Sequence, residues 1–270
     1  MDALQLLKEK IDTPALKAFS TYKTTCAKLF EHLNLIPTEY FTERVVLSWE
    51  MGGLLSPGTN SDGSPRHWLN VPAHQTATAR LANAIAVPLL RDCSKVTKVH
   101  VEEEMRNVVE AALVHDAFKR REQEMRDAAK LAGGESILGA IRRTELANLK
   151  FLRGVGFSET VVAFAKNTGD MGLHKILDDD TTPGEEIVFY ADCCVSNYDI
   201  VGYAQRFDDL KPYFEPGGRY EGINAEFMRK YGKTHREMYD SAVLPLERKF
   251  AELLKFDGDP SQLYTLALTR

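Results

Sequence analysis

The 270-residue sequence predicts an all-α fold, and three observations carry that prediction. Apolar residues recur at three- and four-residue intervals along most of the chain, alternation at period two is scarce, and the long Gly/Pro-rich stretches fall between the periodic segments. Taken in order, helical stripes run through residues 74–90, 105–113, 137–149, 158–166, 185–207 and 236–254. In the second of these Val108, Val109, Ala112 and Leu113 form the apolar face, and Glu102, Glu103 and Glu104 enrich the first turn with acid. Residues 186–194 have a strand-like composition, but their length and flanks favour a buried helix. Residues 52–66 are mostly Gly, Pro, Ser, Asn and Asp, which reads as a long loop, a domain boundary or an active-site lid. Residues 167–186, with the run Asp178-Asp179-Asp180, read as a second loop. Residues 211–222, with Pro216-Gly217-Gly218, separate the main body from C-terminal helices. The C-terminal stripe Met238, Ala242, Leu246, Phe250, Leu253 reads as core packing, with a homodimer face as its alternative.

Composition narrows the function classes. A net charge of −5 provides no overall basic field, which argues against nucleic acid as a partner. The longest apolar run, 84–90, is interrupted by Pro88 and falls far short of the ~20 residues that span a bilayer, so no membrane partner is expected. The first residues, Met1-Asp-Ala-Leu-Gln-Leu-Leu-Lys, lack a basic-then-apolar leader pattern, and the four cysteines, Cys26, Cys93, Cys193 and Cys194, form no C-x-x-C pair. Reduced thiols and a cytoplasmic location are therefore expected. Gly53-x-x-x-x-Gly58 has the spacing of a phosphate loop, but Thr59-Asn60 stands where Lys-Ser/Thr is required. Gly154-Val-Gly156 lacks the third glycine of a dinucleotide fingerprint and reads as a turn between helices.

The residues that carry chemistry are His115 and Asp116. On a continuous helix His115 lies seven residues past Val108, and Asp116 seven past Val109, so both face the buried side. A buried carboxylate is costly unless compensated, and a metal ion is one means of compensation. His74, at the head of the stripe Ala77, Thr78, Leu81, Ile85, and Asp192, between Val188 and Val195, repeat the anomaly on two other predicted helices. Together they offer two imidazoles and two carboxylates, a mixed N/O site suited to one divalent ion such as Mn²⁺, Fe²⁺, Co²⁺ or Mg²⁺.

The order His, then His-Asp, then a distant Asp resembles the HD superfamily of metal-dependent phosphohydrolases, here as His74, His115-Asp116 and Asp192. Leu113-Val-His-Asp-Ala-Phe-Lys119 is similar to the family's L-x-H-D-x-x-K, and His74-Gln-Thr-Ala-Thr-Ala-Arg-Leu-Ala resembles its first helix. Gly156-Phe-Ser-Glu and Tyr190-Ala-Asp-Cys-Cys look like its later helix start and last metal-binding aspartate. The resemblance implies an HD-like core over 66–210, with an N-terminal helical extension and loop over 1–65 and a C-terminal helical extension over 211–270 packed on the core. It also implies a hydrolase that uses a metal-activated water on a nucleotide or other small phosphate ester.

Under that reading Asp116 is ligand and catalytic group, and Lys119, three residues on, offers a point charge to a phosphate. Arg80 and Arg206 are further candidates for phosphate binding. His174, the one histidine between His-Asp and the last Asp, is a candidate ligand or substrate contact, and His67, before His74, a candidate substrate contact. Members with two metals carry more histidines in that interval, so one metal is expected and a di-iron oxygenase is disfavoured. The reading from a different class is a non-catalytic helical module that keeps the scaffold and binds a partner.

Overall fold

The computed structural model describes residues 2–59, 63–91, 98–132, 136–216, 218 and 220–269, so Asn60, Cys93 and Gly217 lie outside the described residues. The fold is all-α. The N-terminal part holds α1 (Ala3–Ile11), α2 (Pro14–Lys17), α3 (Tyr22–Leu33) and α4 (Glu43–Met51), followed by a small antiparallel pair, β1 (Pro57–Thr59) and β2 (Pro65–His67). Next come α5 (Asn70–Arg91), α6 (Lys98–Val114), α7 (Lys119–Ala132), α8 (Ile137–Val155), α9 (Glu159–Lys166), α10 (Asp170–Leu177) and α11 (Pro183–Cys193). A second pair, β3 (Val195–Ser196) and β4 (Asp199–Ile200), precedes α12 (Tyr203–Phe214), α13 (Ile223–Tyr231), α14 (His235–Leu253) and a closing 3₁₀ segment, Pro260–Ala267.

Helix α5 is the axis of the molecule. Residues 71–82 are all buried, and so are 84–86, as expected of a helix enclosed on every side. Its alanines, among them Ala73, Ala77, Ala82 and Ala86, let neighbouring backbones come close, and α6, α3 and α11 pack along it. Pro72 falls in the first turn, where a missing N–H breaks no helical bond. Helix α11 is also buried nearly throughout, so the strand-like composition of 186–194 reflects a core helix. It opens on a reciprocal cap between Thr182 and Glu185 with Pro183 at the first helical position. Lys175 and Lys249 pair with Glu185 and Glu186, at 2.7 Å each, fastening this end of α11 to α10 and α14.

The structure corrects three expectations about segments. The stripe over 185–207 is two helices separated by the β3–β4 hairpin. The hairpin turns at Asn197, whose positive φ of 53° an asparagine tolerates, and the N–H groups of Val201 and Gly202 both donate to the Cys194 carbonyl. Gly202, at φ 81°, lies against Tyr264, whose ring would stand 2.6 Å from any added Cβ. Residues 167–186 are not one loop, since α10 occupies their middle, and α12 extends into 211–222 as far as Phe214. The turn expected at Gly154–Gly156 is present as the end of α8, with Gly156 at φ 94°. Cys26, Cys193 and Cys194 are buried free thiols, as expected for the described cysteines. Met238, Ala242, Leu246 and Phe250 are core residues, whereas Leu253 is exposed.

One buried carboxyl of this core gives a pH-dependent stability. Glu247 is 3% exposed and accepts a hydrogen bond from the Tyr190 hydroxyl at 3.2 Å. Burial, reinforced by Asp259, pushes its carboxyl up to about 7, from 4.5. Between those values the folded chain keeps a proton that the unfolded chain has released, so stability present below about pH 4.5 is lost as pH rises through 7. Glu247→Gln is therefore expected to raise the melting temperature at pH 8, by the equivalent of up to about 3 kcal/mol, and to match the parent near pH 4.5. A difference that stays constant across that range, read by thermal denaturation, would refute the assignment.

Candidate metal centre

Two helices and a turn bring the four predicted ligands together. His74 lies on the first turns of α5 and Asp192 at the end of α11. His115 and Asp116 do not lie on a helix: α6 ends at Val114, and residues 115–118 form the turn into α7. The cause is competition for the last carbonyls of α6. The Trp49 indole N–H donates to the Leu113 carbonyl at 2.9 Å, and the Asn148 amide donates to the His115 carbonyl at 2.6 Å. Side chains from α4 and α8 thus take acceptors that a continuing helix would use. The turn is tightened by short-range bonds from Ala117 N–H to Val114 and from Lys119 N–H to Asp116.

Asp192 is the hub. Its Oδ1 stands 2.8 Å from His74 Nε2 and 3.3 Å from His115 Nε2, while Asp116 Oδ2 is 4.0 Å from His115 Nε2. The two imidazoles meet edge to face, with centroids 5.4 Å apart. His74, His115 and Asp116 each present a ligand atom within 4.8 Å of the others, a grouping that can hold a metal ion. His115 fits this role in detail. Its Nδ1 faces the Ala112 carbonyl at 2.9 Å, which fixes the ring, and its buried Nε2 points into the cluster without a hydrogen bond of its own.

The electrostatics are those of a compressed charge cluster. Burial alone would raise the Asp192 carboxyl, but His115, and then His74, pull it well below the usual range. Burial disfavours a charged His115, yet Asp192 outweighs it and lifts the imidazole to about 8. For His74 burial prevails over the attraction of Asp192, and the imidazole is lowered. Asp116 resists its own burial and falls to about 2 because of Lys119 and His115. Lys119 donates to Asp116 Oδ1 at 2.9 Å, and Asp116 and Glu122 raise its ammonium against the desolvation that lowers it.

A cavity of about 170 Å³ opens beside the cluster. His115, Asp116 and Asp192 lie on its wall, together with Lys119 and Arg206 from the candidate substrate set. Arg206 makes no ion pair among the described residues. The remaining candidates lie elsewhere. Arg80 is buried against His32, with Nη1 3.4 Å from its Nδ1 and 3.8 Å from Glu31, a structural position far round α5 from the ligand face. His174 belongs to α10, not to a loop, and its ring rests on Tyr231 at 4.6 Å. His67 bonds Thr21 at 2.6 Å and packs edge-on to Phe19. None of these three lines the cavity.

The cavity also holds residues that the sequence reading missed. Glu122 and Arg126 follow Lys119 at three and seven residues on α7, a spacing that places all three on one face. Asp170, His235 and Tyr239 form a buried cluster on the cavity wall, with Asp170 Oδ1 3.0 Å from both the His235 ring and the Tyr239 hydroxyl. The C-terminal helices therefore build one side of the cavity. No helix among the described residues is long and apolar enough to cross a membrane. No family model matches the chain, and neither a curated protein nor a solved structure matches it.

Proposed function

We propose that this chain is a metal-dependent phosphohydrolase of the HD type, acting on a small phosphate ester. The observation that carries the reading is the convergence of His74, His115, Asp116 and Asp192 at one end of a cavity that also presents Lys119 and Arg206. The donor set of two nitrogens and two oxygens suits a divalent ion with positions left for water and substrate. When bound, that ion supplies a Lewis acid for the phosphoryl oxygens and acidifies a water. The position of His174 outside the cavity supports one ion, not two.

The chain's own residues hold the ester and the charge. Lys119 and Arg206 bind the phosphoryl oxygens and offset the charge that grows as the water oxygen joins phosphorus. The ester P–O bond breaks, and the departing alcohol takes up the proton given up by the water. Lys119 and His115 hold the Asp116 carboxyl below its usual range, which favours the carboxylate form that ligation needs. The His115 ring stays locked by Ala112.

The test is a panel of phosphate monoesters and nucleotides incubated with Mn²⁺, with phosphate release as the readout. The expected result is release by the parent and a loss of about 10²-fold or more in Asp116→Asn at unchanged helicity. Release that survives the substitution, or an inactive parent that binds no metal, would favour a non-catalytic helical module instead.

A further inference from the structure

Arg126 occupies an unusual position. It lies on α7 seven residues past Lys119, lines the same cavity, and its side chain is 15% exposed. Its Nε and Nη2 are buried without a hydrogen bond. The carboxylates around it are committed. Glu122 Oε2 lies 3.7 Å from Arg126 but is shared with Lys119 at 3.8 Å, and Asp170 is taken up by His235 and Tyr239. The ring of Tyr220 lies 5.9 Å from the guanidinium carbon and its hydroxyl accepts a hydrogen bond from the guanidinium, so Nε and Nη2 are the donors left over. Buried donors left unpaired cost free energy comparable to a lost hydrogen bond, so a guanidinium kept in this state is poised for an acceptor that enters the cavity.

We propose that Arg126 binds a second anionic group of the ligand, so that the cavity takes a small molecule with a negative group at each end. The first group is the phosphoryl group of the proposed reaction, and to that extent the inference rests on the phosphohydrolase reading. Lys119 serves the first group and Arg126 the second, with Glu122 between them holding the two cations apart. A guanidinium fork matches either a carboxylate or a phosphate, so the shared chemistry is an anion with paired oxygens. The neighbouring Tyr220, Phe214 and Tyr239 line the cavity with apolar surface that a short carbon body can cover.

The test is isothermal titration of the full chain, as purified and after chelation, when no turnover occurs. Three probes separate the sources: glycerol 3-phosphate with one anionic group, 3-phosphoglycerate with an added carboxylate, and propane-1,3-diol bisphosphate with a second phosphate. At least one of the two-ended probes is expected to bind about tenfold more tightly than glycerol 3-phosphate. Which one does so identifies the second group. Arg126→Gln is expected to bring that ratio to about one, with glycerol 3-phosphate affinity unchanged. If circular dichroism shows Arg126→Gln unfolded, Arg126→Lys keeps the charge without the fork, and the ratio is expected to fall about threefold. No binding of any probe, no preference in the parent, or a preference that survives these substitutions overturns the proposal. The phosphohydrolase reading fails separately, by absence of metal-dependent phosphate release across the panel of monoesters and nucleotides, and that result leaves the binding ratio intact.

Discussion

His115→Ala is expected to abolish metal binding, from about one ion per chain to background by elemental analysis, while the helical content stays that of the parent. The imidazole contributes the one cluster nitrogen that is buried and without a hydrogen bond, and its other nitrogen is fixed by Ala112, so no neighbouring group can replace it. The substitution also removes the charged partner of Asp192, leaving His74 at 2.8 Å, whose imidazole burial lowers, as its remaining neighbour. Breaking a buried ion pair costs about 3–5 kcal/mol, so the metal-free variant is expected to melt well below the metal-free parent. The parent is expected to gain stability on metal addition, by about 4 kcal/mol at a thousandfold excess over Kd, and the variant to gain none. Metal content unchanged by the substitution would remove the cluster from the mechanism altogether.

The sequence made this cluster legible because each of its four members is a polar residue on an otherwise apolar stripe, and helical periodicity alone turns such a residue inward. His74 and Asp192 needed nothing more than the stripes around Ala77 and Val188. His115 and Asp116 were placed correctly for an incomplete reason. The stripe from Val108 sets their direction, but the helix stops at Val114, where Trp49 and Asn148, 64 and 33 residues away in sequence, take the Leu113 and His115 carbonyls. No local pattern announces such a contact. Arg80 shows the opposite failure. Six residues past His74 is about 120° round a helix, so nearness in sequence put it on the wrong face. Glu122 and Arg126 could have been found from their spacing to Lys119, whereas Asp170, His235 and Tyr239 depend on how α10 and α14 pack. The hairpin between α11 and α12 was hidden by residues that are apolar at both periods.

Gly52→Ala is expected to be among the most damaging small substitutions in the chain, although it lies in the stretch that composition marks as loop. Gly52 caps α4 with helical dihedrals, φ −70° and ψ −8°, so an alanine would adopt its backbone without strain. The difficulty is contact. An added Cβ would stand 1.9 Å from the carbonyl oxygen of Ala117, in the turn that carries His115 and Asp116, and 3.1 Å from the Ser48 carbonyl oxygen. Both neighbours are backbone, and Trp49, one turn back on α4, already ties this end to Leu113. The methyl can be accommodated only by prising the ligand-bearing turn away from α4. Overpacking of this kind costs about 1–3 kcal/mol, and the rigidity of both partners puts Gly52→Ala at the upper end or beyond. Gly154→Ala is the control, since that glycine sits inside α8 with nothing within 4 Å of an added Cβ. There alanine is expected to be neutral or to stabilise by up to about 1 kcal/mol. Denaturant midpoints and a metal titration on both variants separate the two effects. If Gly52→Ala loses stability and weakens metal binding together, the end of α4 acts as the buttress of the metal centre. If it loses stability while metal affinity is unchanged, the turn carries its ligands independently of α4, and the buttress assignment fails.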